Sequence, residues 1–308
     1  MNRLIALTLL FALFITRFTL HAQDASPVAA KADSLLKVGD VAECIPLYRE
    51  ALAGDPENSH LNYNLACAYA LSWNRDSAFH FLNLALVGDT SVVVLTDPDL
   101  INLSEDERWA AIEDGQIAKV GAKFGPYPKP DLARELWRMK MKDQAYYYHI
   151  HVAEQKIGRG SPVVRALWDL KKMINDKNEE RLEEIINEQG WPKESDVKGN
   201  AAQAAFLIIQ HANLEKQKQY IGMLKSACEQ GEASWPSYAL MYDRIEMREG
   251  RPQFYGSQVR FNAGSGQYEP HEILEPEYVN KRRREVGLGP IQDYLSNWDI
   301  KWEVEQKE

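Results

Sequence analysis

Asp243-Arg244 is followed closely by Gln253-Phe254-Tyr255-Gly256-Ser257-Gln258, so an acid, a guanidinium, two amides and a phenol gather around one glycine. Neighbouring helical residues point about 100° apart, so Asp243 and Arg244 cannot pair well with each other, and each calls for its own partner. If 253–258 is extended, alternation puts Gln253 and Tyr255 on one face, and a bulge at Gly256 would bring Gln258 to the same side. Amides and a phenol suit recognition of a polar neutral ligand, a peptide backbone or a sugar. They are poor nucleophiles.

His211 ends an apolar segment as Gln210-His211-Ala212 and shares a helical face with Ala204, Leu207 and Ile208. An imidazole turned inward there is either a core histidine bonded to a carbonyl or an acid–base group working near neutral pH. Asp143 falls on the apolar stripe of Leu132, Leu136, Met139 and Ile150. A carboxylate in that place must be paired or neutral. Its predicted partner is Arg244, then Arg282 or Arg283, and Gln144 could bond either the pair or a ligand. A purely structural ion pair is the competing expectation. In Lys281-Arg282-Arg283-Arg284, two arginines are expected to face inward toward Asp143 or Asp243, with the other two side chains solvated.

Three readings follow. In the first, Gln144, Gln210, Arg244, Gln253, Tyr255, Gln258, Arg282 and Arg283 line a ligand pocket. In the second, a hydrolase-type enzyme uses His211 as general base, oriented by Asp143 or Asp243, and activates water directly. Ser257 lies beside Gly256, but Gly-x-Ser-x-Gly is absent. In the third, the whole set is a buried network that fixes the C-terminal elements. Neither C-x-x-C nor H-E-x-x-H occurs, so no metal and no cofactor is called for.

These residues must be positioned by a mainly α chain. Helical patterns are expected at 132–155, 163–175, 179–189 and 216–230. Gly190-Trp191-Pro192 closes the third of these as a helix stop. Residues 200–213 are apolar almost all round, which marks a buried helix. Residues 253–261 and 267–273 flank Asn-Ala-Gly-Ser-Gly and read as a β-hairpin, and a short basic helix is expected over 279–285.

Upstream, residues 31–56 and 62–88 repeat one pattern at an offset of 34, aligned on Cys44/Ala78 and Ala51/Ala85. The first copy carries Ala32, Gly39-Asp40, Tyr48 and Pro56, and the second Leu65-Ala66, Tyr69 and Leu82. This resembles the tetratricopeptide repeat, although the usual tryptophan and glycine of its first helix are missing. Residues 104–118 would add a capping helix. The resemblance implies a short peptide- or protein-binding surface, or else helices that only dock on the next domain. The Pro/Gly-rich stretch 121–131 reads as the linker between this part (27–120) and a second, mostly helical α+β domain (132–296). Residues 297–308 form a tail.

Met1-Asn2-Arg3, an apolar run from Leu4 to Ile15 and Leu20-His21-Ala22 give residues 1–22 the layout of a secretory signal peptide, cut before Gln23. The run is shorter than the roughly 20 residues of a spanning helix. An exported, periplasmic or secreted chain without a membrane span after cleavage is therefore expected. The net charge is −9, and losing Arg3 and Arg17 with the leader makes the chain more acidic still, which disfavours nucleic acid. Three cysteines cannot all pair within one chain. Cys44 and Cys67 read as buried thiols or as a bridge, and Cys228 stands alone.

From Asp143-Gln144 to Tyr294 the sequence resembles a domain-of-unknown-function family numbered 6624. The resemblance rests on Gly190-Trp191-Pro192, Gln210-His211-Ala212, Asp243-Arg244, Gln253-x-Tyr255-Gly256-x-Gln258, Arg282-Arg283 and Gly287-Leu288-x-Pro290-x-x-x-Tyr294. Where the family pattern has an arginine shortly after Asp-Gln, this chain has Ala145-Tyr146-Tyr147. The resemblance implies domain limits but no reaction.

Overall fold

The computed structural model describes residues 26–262 and 264–308, so the predicted leader lies outside the described residues. The chain divides into two compact units at Ile208/Ile209.

The first unit begins with α1 (Pro27–Lys37), α2 (Val41–Gly54), α3 (Ser59–Leu71) and α4 (Arg75–Ala85). Side-chain caps start three of these helices: Ser26 accepts from Ala29 N, Asn58 from Leu61 N and Asn74 from Ser77 N. The helices form two hairpins turned at Gly39 and Trp73. Small residues hold them close: Ala32, Cys44, Ala68 and Ala78 are fully buried, and Tyr48 and Leu65 fill the space between. Cys44 and Cys67 are free buried thiols, so the bridge weighed from sequence does not form. Two 3-10 turns, Val93–Thr96 and Pro98–Leu100, lead into α5 (Trp109–Phe124). That helix continues through Gly121 because the first proline comes only at 126, so the irregular stretch is shorter than 121–131.

The helix expected over 132–155 is two helices, α6 (Pro130–Gln144) and α7 (Tyr147–Ile157). Between them Tyr146 takes φ +69°, and the buried Lys171 ammonium draws the last carbonyls of α6, those of Lys142 and Asp143, onto itself. The two helices expected over 163–189 are instead one, α8 (Pro162–Gln189). Asn178, in the interval between the two expected helices, is buried and donates to the Met139 carbonyl. Gly190, at φ +81°, ends α8 as expected. α9 (Glu194–His211) contains a non-helical Lys198 and then runs as the predicted buried helix, with residues 204–210 all buried.

The second unit starts in the last turn of α9 and continues with α10 (Leu214–Glu229), which packs on α11 (Trp235–Arg248). An antiparallel hairpin follows, β1 (Val259–Asn262) with β2 (Gln267–Pro270), in the register Val259↔Pro270. α12 (Val279–Glu285) and α13 (Ile291–Ser296) close the unit over a small core of Ile273, Val279, Ile291 and Leu295. The molecule is thus mainly helical with a C-terminal β-hairpin. Among the described residues no helix is long and apolar enough to cross a membrane.

Candidate functional site

α11 delivers Asp243 to the interior of the second unit, where its side chain has no exposure. Its Oδ1 accepts the amides of Phe254 (2.7 Å) and Tyr255 (2.9 Å), and its Oδ2 accepts that of Ser257 (2.9 Å). Gly256, at φ +67°, curls the chain so that these N–H groups converge. Converging amides form a concavity for an anion. Here the chain's own carboxylate fills it. Burial raises the Asp243 carboxyl above the usual range, against the opposing pull of the three amides.

The loop's carbonyls are held from the other side. Arg282 Nε donates to Phe254 O (2.7 Å), Arg283 Nη1 to Tyr255 O (2.8 Å), and the Tyr294 hydroxyl to Ser257 O (2.7 Å). Each guanidinium also lies over a ring, Arg282 at 4.5 Å from Phe254 and Arg283 at 5.2 Å from Tyr294. Burial lowers both arginine pKa values. The expected pairing of these arginines with Asp143 or Asp243 is therefore corrected; the carboxylate near Arg282 is that of Glu275, 3.9 Å from Nη1. They feel Asp243 through space, but their hydrogen bonds go to peptide oxygens, because a buried irregular loop must find donors for its carbonyls. Lys281 and Arg284 are solvated as predicted, and Arg284 bonds Glu308.

The amides finish the lock. Gln253 accepts from Gln258 N (2.7 Å) and donates to Gln258 O (3.0 Å) and His271 O (2.9 Å). Gln258 Oε1 accepts from Arg244 Nε (3.2 Å), and its amide nitrogen donates to Ser257 Oγ (2.9 Å). Arg244 Nη1 reaches Gln210 O (3.0 Å), and Gln210 Nε2 reaches Leu240 O (3.3 Å). The 253–258 segment is consequently not a strand, and the expected alternation of Gln253 with Tyr255 fails. Side chains supply the hydrogen bonds that a ladder would have given, and only an isolated bridge pairs Gln253 with Ile273. Tyr255 packs its ring against Tyr242 and Phe254, and burial pushes its hydroxyl up to about 12.

Nine of the predicted site residues belong to this second unit: His211, Asp243, Gln210, Arg244, Gln253, Tyr255, Gln258, Arg282 and Arg283. His211 is half-buried at the end of α9. Asp243 spends most of its acceptor capacity on the three amides of the loop. Asp143 and Gln144 belong to the first unit. Asp143 is buried as expected and accepts from the Gln144 amide. Within this unit the Lys171 ammonium acts on it through space; this ammonium also lies 4.4 Å from the Tyr147 ring centre.

Sequence reasoning passed over several groups. Lys140 and Lys171 are buried lysines whose pKa values burial lowers to about 8. Glu113, fully buried, takes Arg138 in a two-point pair (2.7 and 2.6 Å). Cys67 Sγ and one carboxylate oxygen each from Asp97 and Asp99 lie within 4.8 Å of one another, a donor set compatible with a metal ion. Asp97 is already bonded there by the Tyr63 hydroxyl (2.7 Å) and the Asp99 amide (3.0 Å). Burial, aided by the two carboxylates, pushes the Cys67 thiol pKa up and keeps it protonated. A periodic pattern gives no notice of such tertiary pairs.

No curated protein and no solved structure matches this chain. Residues 130–304, more than half of its length, match a family described as a family of unknown function (DUF6624), and the chain belongs to that family.

Proposed function

We propose that this is an exported binding protein in which the paired N-terminal hairpins, a short tetratricopeptide-like array, take a peptide segment bearing a cationic side chain. In this reading the polar set of the second unit is scaffold. What supports the scaffold role is that Phe254, Tyr255 and Ser257 are tied through both their amides and their carbonyls.

The observation that carries the binding role is Asp33 on α1. Its carboxylate accepts the Tyr48 hydroxyl (2.7 Å) from α2 and the Asn64 amide (2.8 Å) from α3, yet the side chain keeps 33% exposure. Burial alone would raise its pKa, but the nearby His60 ring (3.8 Å) and the hydrogen bonds from Tyr48 and Asn64 outweigh this and hold the group below the usual carboxylate range. A preorganised, charged acceptor that still meets solvent is suited to an ammonium or guanidinium.

The test is fluorescence anisotropy with lysine-containing and glutamate-containing decapeptides of matched length. Preferential binding of the basic peptide, weakened about tenfold by Asp33→Asn, is expected. Equal or absent binding of the two peptides refutes the reading. Export is tested separately by fusing residues 1–30 to alkaline phosphatase, which becomes active only outside the cytoplasm.

A further inference from the structure

The two hairpin turns of the first unit are the same turn with different residues at its tightest point. Gly39 N donates to Leu36 O (3.1 Å) and Asp40 N to Leu35 O (2.9 Å); Trp73 N donates to Ala70 O (3.0 Å) and Asn74 N to Tyr69 O (2.9 Å). Both residues sit at positive φ, +76° for Gly39 and +62° for Trp73. Glycine is the ordinary occupant of this helix-ending position, because a side chain there is strained. In the second copy that strain is accepted for the sake of an indole that is 71% exposed. The first turn, by contrast, is covered by the chain itself. Val152 of α7 lies 3.4 Å from where a Gly39 Cβ would stand, and Lys156 pairs with Asp40 at 2.5 Å.

Beside Trp73 lies an open cleft of about 500 Å³ lined by Ser72, Asn74, Arg75, Asp76 and Arg108. The Arg75 guanidinium lies over the indole, 5.5 Å from its centre. Arg108 is held flat by Asp106 and Asp76, both at 2.8 Å, and by the Phe79 ring at 4.3 Å. Counting Asp106, which pairs with Arg108 from outside the lining, the two arginines are matched by two aspartates and the cleft carries no net charge. It offers one aromatic plate, with fixed hydrogen-bonding groups around its edge.

We propose that this turn is a binding site for an uncharged saccharide, whose pyranose C–H face stacks on Trp73 while its hydroxyls meet Asn74, Asp76 and Arg108. An acidic polymer gains nothing from a neutral cleft. A proline- or aromatic-rich peptide would need more apolar area than a single indole gives.

The test titrates the whole chain with chitotetraose, cellotetraose, a galacturonate tetramer and a proline-rich decapeptide by calorimetry. At least one uncharged tetramer is expected to bind, with Trp73→Gly weakening it about tenfold. The same variant is expected to melt no lower than the wild type, since glycine fits this backbone. Loss of binding with unchanged melting separates a ligand platform from a structural residue. The proposal is overturned if neither uncharged tetramer binds, if only the acidic tetramer or the peptide binds, if Trp73→Gly binds like the wild type, or if that variant melts several degrees lower.

Discussion

Asp243→Asn tests the central structural claim with a change of one atom. Asparagine has almost the same volume, so packing is preserved and only the hydrogen bonds change. If its oxygen keeps the Phe254 and Tyr255 amides, its NH2 group faces the Ser257 amide, donor against donor, across a spacing that is now 2.9 Å. One charge-assisted bond, worth about 1.5–3 kcal/mol, is lost, and a buried N–H is left without an acceptor, at a further cost of about 1–3 kcal/mol. Relaxation recovers part of this, so a net loss of about 3 kcal/mol is expected. Urea unfolding of wild type and variant, compared through their midpoints and slopes, measures it. Native-state hydrogen exchange adds a local readout. The amides of Phe254, Tyr255 and Ser257 should exchange about a hundredfold faster, as 3 kcal/mol corresponds to roughly two decades. A loss below about 1 kcal/mol, with those three amides still protected, would refute the reasoning.

Two further changes probe the same physics elsewhere. Gly256→Ala places a Cβ 2.6 Å from Ile291 Cδ1 and 3.1 Å from Ile273 Cδ1 at a positive φ, and should cost about 3 kcal/mol by urea unfolding; a neutral result would mean that the loop is not held as described. Lys171, with an ordinary pKa of 10.5 lowered to about 8, predicts a pH effect. Between pH 8 and 10.5 the unfolded chain keeps a proton that the folded chain has released, so rising pH favours the folded state. Below pH 8 the ammonium is charged in both states and its burial penalty is present in full. The stability of wild type minus that of Lys171→Met should therefore rise by about 3 kcal/mol across this window, while titrating cysteines and tyrosines cancel in the difference. A flat difference curve would show that Lys171 is not buried as a cation.

Regular elements were legible in the sequence wherever one pattern ran without interference. The buried stretch before His211, the stop at Gly190-Trp191-Pro192 and the basic helix at 279–285 all follow from periodicity and chain-breaking residues, and the structure carries them. Errors fell where tertiary contacts overrode local preference. The break at Ala145-Tyr146 is made by Lys171, about 25 residues along the chain, and the continuity of α8 is secured by Asn178 on the Met139 carbonyl. The membership of the C-terminal polar set was also readable, since Asp243, Arg244, Gln253, Gln258, Arg282 and Arg283 are all buried. Their partners were not. Side-chain types announce that hydrogen bonds will be made, but whether they run to a ligand, to one another or to the backbone depends on the path of the chain between them.

That distinction explains why this motif reads like an active site. A segment buried without helix or strand must still satisfy every peptide N–H and C=O, and backbone geometry alone cannot do it. The groups that can are those that accept several amides at once or donate along a planar fork: a carboxylate, guanidinium groups, carboxamides and a phenol. These are the same residues that enzymes and binding sites use, and a tight turn requires the same glycine. Asp243 against three amides, with Arg282, Arg283 and Tyr294 against the matching carbonyls, answers for three residues of this loop. An active site built from such residues must leave at least one of them turned toward a reactant. Asp33 on α1 and Trp73 in the turn between α3 and α4 do keep a solvent-facing side.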